Sequence, residues 1–113
     1  MRAPGLRVVN RPGSAYSEGM SPELAHEPDA NRYTLRIRDE LVCVADYSIR
    51  PGQIYFTHTY TSPPRRGNGY AAALVEFAVD DVAATTDLRI VPSCSFVVDW
   101  FQDHPERADL LRR

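Results

Sequence analysis

A chain of 113 residues, 43% hydrophobic and 25% charged, has room for one small globular domain with one core. Its formal net charge of −2 argues against a dedicated nucleic-acid binder, which needs a basic surface to neutralise phosphates before any base is read. All 13 positive residues are Arg and none is Lys, so a Walker-type phosphate loop and a Schiff-base lysine are excluded.

Residues 1–21 carry proline, glycine and serine at intervals, with Leu6, Val8 and Val9 as the only apolar run. They are expected to form an irregular tail in which Leu6 to Asn10 adds an edge strand, with the domain proper over 22–113. Glu23 to His26 reads as a short strand and Pro28 to Asn31 as a turn. Tyr33 to Arg38 alternates apolar and polar residues, which predicts a strand with Tyr33, Leu35 and Ile37 facing inward. Asp39-Glu40 is the expected turn into a second strand, Leu41 to Ile49, with Cys43 in the core. Arg50 to Gln53 supplies another tight turn, and a third strand from Ile54 to about Thr61 completes an antiparallel meander. Simple alternation places Ile54, Phe56, His58 and Tyr60 on one face of that strand and Tyr55, Thr57, Thr59 and Thr61 on the other.

A helix is expected from Asn68 or Gly69 to about Thr85, because Ala71, Leu74, Val75, Ala78 and Val82 recur at three- and four-residue intervals. Asp80-Asp81 is read as part of its solvated face. Leu88 to Val91 is a short strand ended by Pro92, and a strand, helix, strand connection of this length implies a parallel pair with a right-handed crossover. A second helix from about Ser95 to His104 carries Phe96, Val97, Trp100 and Phe101, the aromatic pair Trp100 and Phe101 being assigned to the core. Leu110 and Leu111 are expected to tuck back from a polar tail. The sum is an α+β domain around a mixed sheet.

Cys43 and Cys94 show neither a disulfide framework nor metal-ligand spacing, and the three His residues add none, so no metal is expected. A reduced, cytoplasmic compartment is the simpler expectation. No apolar run approaches the roughly 20 residues of a membrane span, and no hydrophobic signal core is recognisable.

The chemistry concentrates between Pro63 and Val75. Two glycines there let the backbone curl so that successive N–H groups point outward, and the helix that follows adds unpaired donors and the positive end of its dipole. Such a turn suits a phosphate or pyrophosphate, and Arg65 and Arg66 bring planar donors matched to phosphate oxygens. Gly67 to Ala72 also fits the G-x-G-x-x-A form of a dinucleotide fingerprint. That reading requires the glycines to follow the first strand of a parallel unit, whereas three antiparallel strands come first here. A plain strand-to-helix turn with no ligand stays open on spacing alone.

The run Arg66-Gly67-Asn68-Gly69-Tyr70-Ala71 resembles the Arg-x-x-Gly-x-Gly/Ala signature of the GCN5-related N-acetyltransferase superfamily. Together with Phe56-Thr57-His58-Thr59 and Val91-Pro92-Ser93-Cys94-Ser95-Phe96, it is similar to the small YjdJ-type branch of that superfamily, from about Pro22 to Leu111. The resemblance implies a minimal acetyltransferase fold: the meander, a helix, a parallel strand and a C-terminal helix, with the parallel strands splayed to admit the pantetheine arm. It implies that acetyl-CoA binds through Tyr60, Thr61, Arg65, Arg66, Gly67, Asn68, Gly69, Tyr70 and Ala71, pantetheine pairing with the strand near Tyr60 and Thr61 as an added strand would. The thioester is then expected to point toward His58 and Cys94.

His58 can act as a base near neutral pH, although a histidine among apolar neighbours often serves only the core. Cys94 stands just before a helix, where a thiol ionises more easily, and is either an acetyl-accepting nucleophile or an inert thiol beside the cosubstrate. Where relatives often carry a carboxylate two residues after the strand histidine, this chain has Tyr60, which shifts weight to His58 and Cys94. The expected activity is acetyl transfer to an amine, protein-borne or small, directly or through an acetyl group on Cys94. The rival is a non-catalytic acyl-CoA binding or sensing module. Neither nucleic acid nor membrane is an expected partner, and the oligomeric state stays open, with a monomer compatible.

Overall fold

The computed structural model describes residues 21–113, together with the backbone of a short strand at Arg7–Val9. That strand falls within the expected Leu6 to Asn10 segment; the rest of the expected irregular tail lies outside the described residues. One six-stranded sheet follows chain order: β1 (Arg7–Val9), β2 (Glu23–Glu27), β3 (Arg32–Ile37), β4 (Glu40–Arg50), β5 (Gln53–Thr61) and β6 (Arg89–Pro92). The first five are antiparallel, and β6 joins β5 in parallel after the helix α1 (Tyr70–Thr85). A second helix, α2 (Ser95–Asp103), and a 3-10 turn at Pro105–Leu111 end the chain.

The core lies between the helices and one face of the sheet. Tyr33, Leu35 and Ile37 of β3 meet Leu74, Val75, Ala78 and Val82 of α1, all at most 2% exposed, as the two periodicities predict. Trp100, Phe101 and Leu110 are buried as expected, and Cys43 is in the core.

The structure corrects four details. The β3–β4 hairpin turns at Arg38-Asp39, with φ of 52° and 67°, and Glu40 already belongs to β4; two successive positive φ values suit the twist of a two-residue hairpin. β6 starts at Arg89 and includes Pro92, whose missing N–H is tolerated because it sits at the strand's end. Asp81 is buried at 4% exposure, not solvated: its Oδ2 accepts a 2.7 Å hydrogen bond from the Tyr33 hydroxyl and lies 3.4 Å from His26 Nδ1.

The fourth correction bears on the site. Asp46 pairs with His58 and the next residue, Tyr47, pairs with Phe56, so Thr57 is an extra residue in β5. This bulge reverses the alternation. Phe56, Thr59 and Thr61 oppose Tyr47, Ala45 and Cys43 on the helix-covered face, while His58 and Tyr60 turn to the other.

Candidate functional site

β5 and β6 pair only from Gln53–Arg89 to Phe56–Pro92, and the Ser93 N–H to Phe56 carbonyl bond of 3.0 Å is the last link between them. Beyond it β6 turns into α2, and the edge of β5 from Thr57 to Thr61 no longer has β6 beside it. A cleft of about 410 Å³ opens along Thr59, Tyr60 and Thr61 and is closed on its far side by Ala71, Ala72 and Phe96. Its walls expose apolar surface: Tyr60 is 46% and Phe96 37% exposed.

One end of the cleft is the glycine turn. Pro63–Arg65 forms a 3-10 turn, and Gly67 and Gly69 then take φ of 86° and 76°. A Cβ at either position would meet nothing within 4 Å, so glycine is needed for the backbone conformation and not for space. α1 begins immediately after, with Gly69 as its N-cap, no side chain capping it and no acidic residue in its first turn. Its leading N–H groups therefore remain available to an anion. Arg65, Arg66, Gly67, Gly69, Tyr70 and Ala71 all line the cleft, as do Tyr60 and Thr61. Asn68 does not; its side-chain amide donates to the Arg65 carbonyl at 3.0 Å and braces the turn. Arg66 donates to the Thr61 carbonyl at 3.0 Å with its guanidinium 5.6 Å from the Tyr60 ring centre, while Arg65 pairs with Glu40 at 2.8 Å.

The two expected catalytic residues lie on opposite faces of the sheet. Cys94 is the N-cap of α2 on the helix-covered side, its Sγ 3.5 Å from the Thr59 hydroxyl. Burial alone would raise its proton affinity, but the Thr59 hydroxyl and the amides of Val97, Phe96 and Thr59 favour the thiolate more, so the thiol sits below its ordinary pKa. Cys43 is pushed the other way, because burial outweighs its bond to the Thr61 hydroxyl. His58 is exposed on the opposite face, stacked on Tyr60 with ring centres 6.4 Å apart. The shared feature that reconciles them is the edge of β5 itself, which both faces adjoin. Thr59, Ala72 and Phe96 fall inside the runs read from the sequence but have no assigned role there, and the bulge that selects Thr59 is visible only through pairing. No group of three or more His, Cys, Asp or Glu residues that would hold a metal occurs among the described residues.

No curated protein matches the chain. The family model described as GCN5-related N-acetyl-transferase matches residues 32–110, spanning the meander, the glycine turn, both helices and the splayed parallel pair. Members of that family use acetyl-CoA as the acyl donor, and the cleft suits it: a free strand edge for amide pairing leads into a turn of exposed backbone donors flanked by two guanidiniums. The chain belongs to the GCN5-related N-acetyl-transferase family.

Proposed function

We propose that this protein is an acetyl-CoA-dependent N-acetyltransferase of the small YjdJ-type branch, with its activity carried by residues 22–113. The observation that supports the reading is the continuity of one groove, from the β5 edge beyond Phe56 to the bare N-terminus of α1. In this reading Arg65 and Arg66 and the amides after Gly67 and Gly69 hold the pyrophosphate. The backbone of Thr59 to Thr61 orders the pantetheine arm, and Tyr60 and Phe96 cover its apolar stretches. Acetyl-CoA supplies an activated acyl group whose carbonyl carbon accepts the amine.

His58, exposed on the uncovered side, takes the proton of the incoming amine, directly or through water. Cys94 approaches the same strand edge from the helix side. Its lowered pKa supports a second route in which its sulfur accepts the acetyl group first. The two routes differ in the residue they cannot lose. Thiol release from acetyl-CoA is measured over a panel of amines with the wild type, His58→Ala and Cys94→Ala, and intact mass is recorded after exposure to acetyl-CoA alone. Direct transfer predicts that His58→Ala loses about 10²-fold or more in rate and that no stable adduct forms. Transfer through Cys94 predicts a one-acetyl mass increase that Cys94→Ala abolishes. Tight CoA binding with no release above hydrolysis for any amine would leave a non-catalytic acyl-CoA module instead.

A further inference from the structure

The pairing registers assemble a row of charged residues that lie far apart in sequence. On the sheet face away from α1, Glu27 of β2 is opposite Arg32 of β3, Arg32 is opposite Asp46 of β4, and Asp46 is opposite His58 of β5. Glu27 is committed: its carboxylate lies 2.8 Å from Arg32 Nε and 3.4 Å from Arg36 Nη2. Asp46 is not. Among the described residues its carboxylate forms no ion pair, although it is half-buried in the middle of the sheet. The Thr57 hydroxyl, 3.4 Å away, donates only to its backbone carbonyl. The register makes Asp46 and His58 cross-strand neighbours on one face, with no ion pair formed between them. His58 stands on β5, the strand at which the sheet opens, and Asp46 on its neighbour β4.

We infer that Asp46 is the acceptor-binding residue: it holds the ammonium of a cationic amine beside His58, on the face opposite Cys94. The inference rests on the acetyl-CoA reading of the cleft. Arg32, directly opposite Asp46 on β3, is held by Glu27, which leaves the Asp46 carboxylate without an ion pair among the described residues; an alkylammonium supplies a charge and hydrogen-bond donors to it. The Thr57 bulge sets this arrangement, because without it His58 would face the helices and Asp46 would have no basic neighbour on β5. In the transfer, His58 removes one proton from the bound ammonium, and the freed nitrogen forms a bond to the acetyl carbon. The carbon–sulfur bond breaks and CoA leaves as thiolate; the nitrogen gives up its second proton as the amide forms, so of the two protons lost one neutralises the thiolate and the other passes to solvent, His58 carrying the first. The products are the N-acetyl amine and CoA thiol, with nothing oxidised or reduced. Diamines and lysine-like acceptors fit best, since a second charge strengthens the attraction to the carboxylate.

Two readouts test the inference. CoA binding is first measured by calorimetry on the wild type and on Asp46→Asn, and both are expected to bind alike. The ring resonances of His58 are then followed by NMR as 1,4-diaminobutane is added to the CoA-saturated protein, with 1,4-butanediol as the uncharged control. The diamine is expected to shift His58 saturably in the wild type, about tenfold more weakly in Asp46→Asn, with partial rescue in Asp46→Glu, as for loss of one charge-assisted contact. In turnover, Asp46→Asn is expected to raise the diamine KM by about the same factor and leave kcat within about twofold. Equal diamine responses in wild type and Asp46→Asn, or equal shifts from the diol, would overturn the assignment while leaving the CoA site intact. If CoA itself does not bind the wild type, the acetyl-CoA reading fails. The diamine titration is then run on the protein alone, where dependence on Asp46 still upholds or overturns the amine site.

Discussion

Thr59 is the residue on which the two sides of the site meet. Its backbone lies on the open edge of β5, and its hydroxyl is 3.5 Å from Cys94 Sγ. The hydroxyl contributes to the low pKa of Cys94, together with amides of the first turn of α2. Thr59→Val keeps the shape and removes the donor, so the thiolate loses a stabilising bond and the pKa must rise. The pH at which iodoacetamide alkylates Cys94 at half its maximal rate should therefore move upward in Thr59→Val, and the rate at pH 7 should fall several-fold. Cys43, buried and shifted upward, is expected to remain unreactive in the folded protein. An unchanged profile would leave the backbone amides of Val97, Phe96 and Thr59 as the cause.

At the scale of elements, the glycine turn and α1 act as one unit, because the positive φ values of Gly67 and Gly69 set where the helix begins and which amides it exposes. An L-residue at Gly67 must adopt a left-handed conformation, at a cost of roughly 1–2 kcal/mol. No steric clash adds to it. Gly67→Ala should thus lower stability by about that amount in urea denaturation. It should also weaken CoA binding, since any relaxation of the strain re-aims the N–H groups; retained affinity with full loss of stability would show that the turn keeps its shape. Glycine spacing and 3.6-residue periodicity made this unit legible in the sequence, as period-two runs did for β3. The bulge at Thr57 was not legible. Nothing in Gln53 to Thr61 marks an extra residue, and only pairing with Asp46 and Tyr47 fixes which side chains change faces. Asp81 escaped for a related reason: its charge suggests solvent, and the Tyr33 and His26 groups that hold it come from strands about fifty residues earlier.

Across the whole molecule, stability depends on how the strands farthest from the cleft are tied together, and one of those ties depends on pH. Glu27, at the end of β2, bridges Arg32 and Arg36 of β3 at 2.8 and 3.4 Å. Burial by itself would raise the pKa of Glu27, but the hydrogen bonds and charges of the two arginines outweigh it, and the carboxyl sits below its ordinary value of 4.5. A carboxylate favoured in the fold binds protons less readily there than in the unfolded chain. Its contribution is therefore fully present above the unfolded pKa and disappears as pH falls through the folded one. Glu27→Gln should cost about 0.5–1 kcal/mol at pH 7, the range for a partly exposed pair. The difference from wild type should begin to narrow below the unfolded value of 4.5 and vanish below the folded pKa. It should also shrink in high salt at pH 7, where screening weakens the attraction. Urea denaturation of both proteins at neutral pH and again in acid, as far down as folding persists, measures this directly. A gap of constant size would assign the loss to packing of the Glu27 stem, not to its charge.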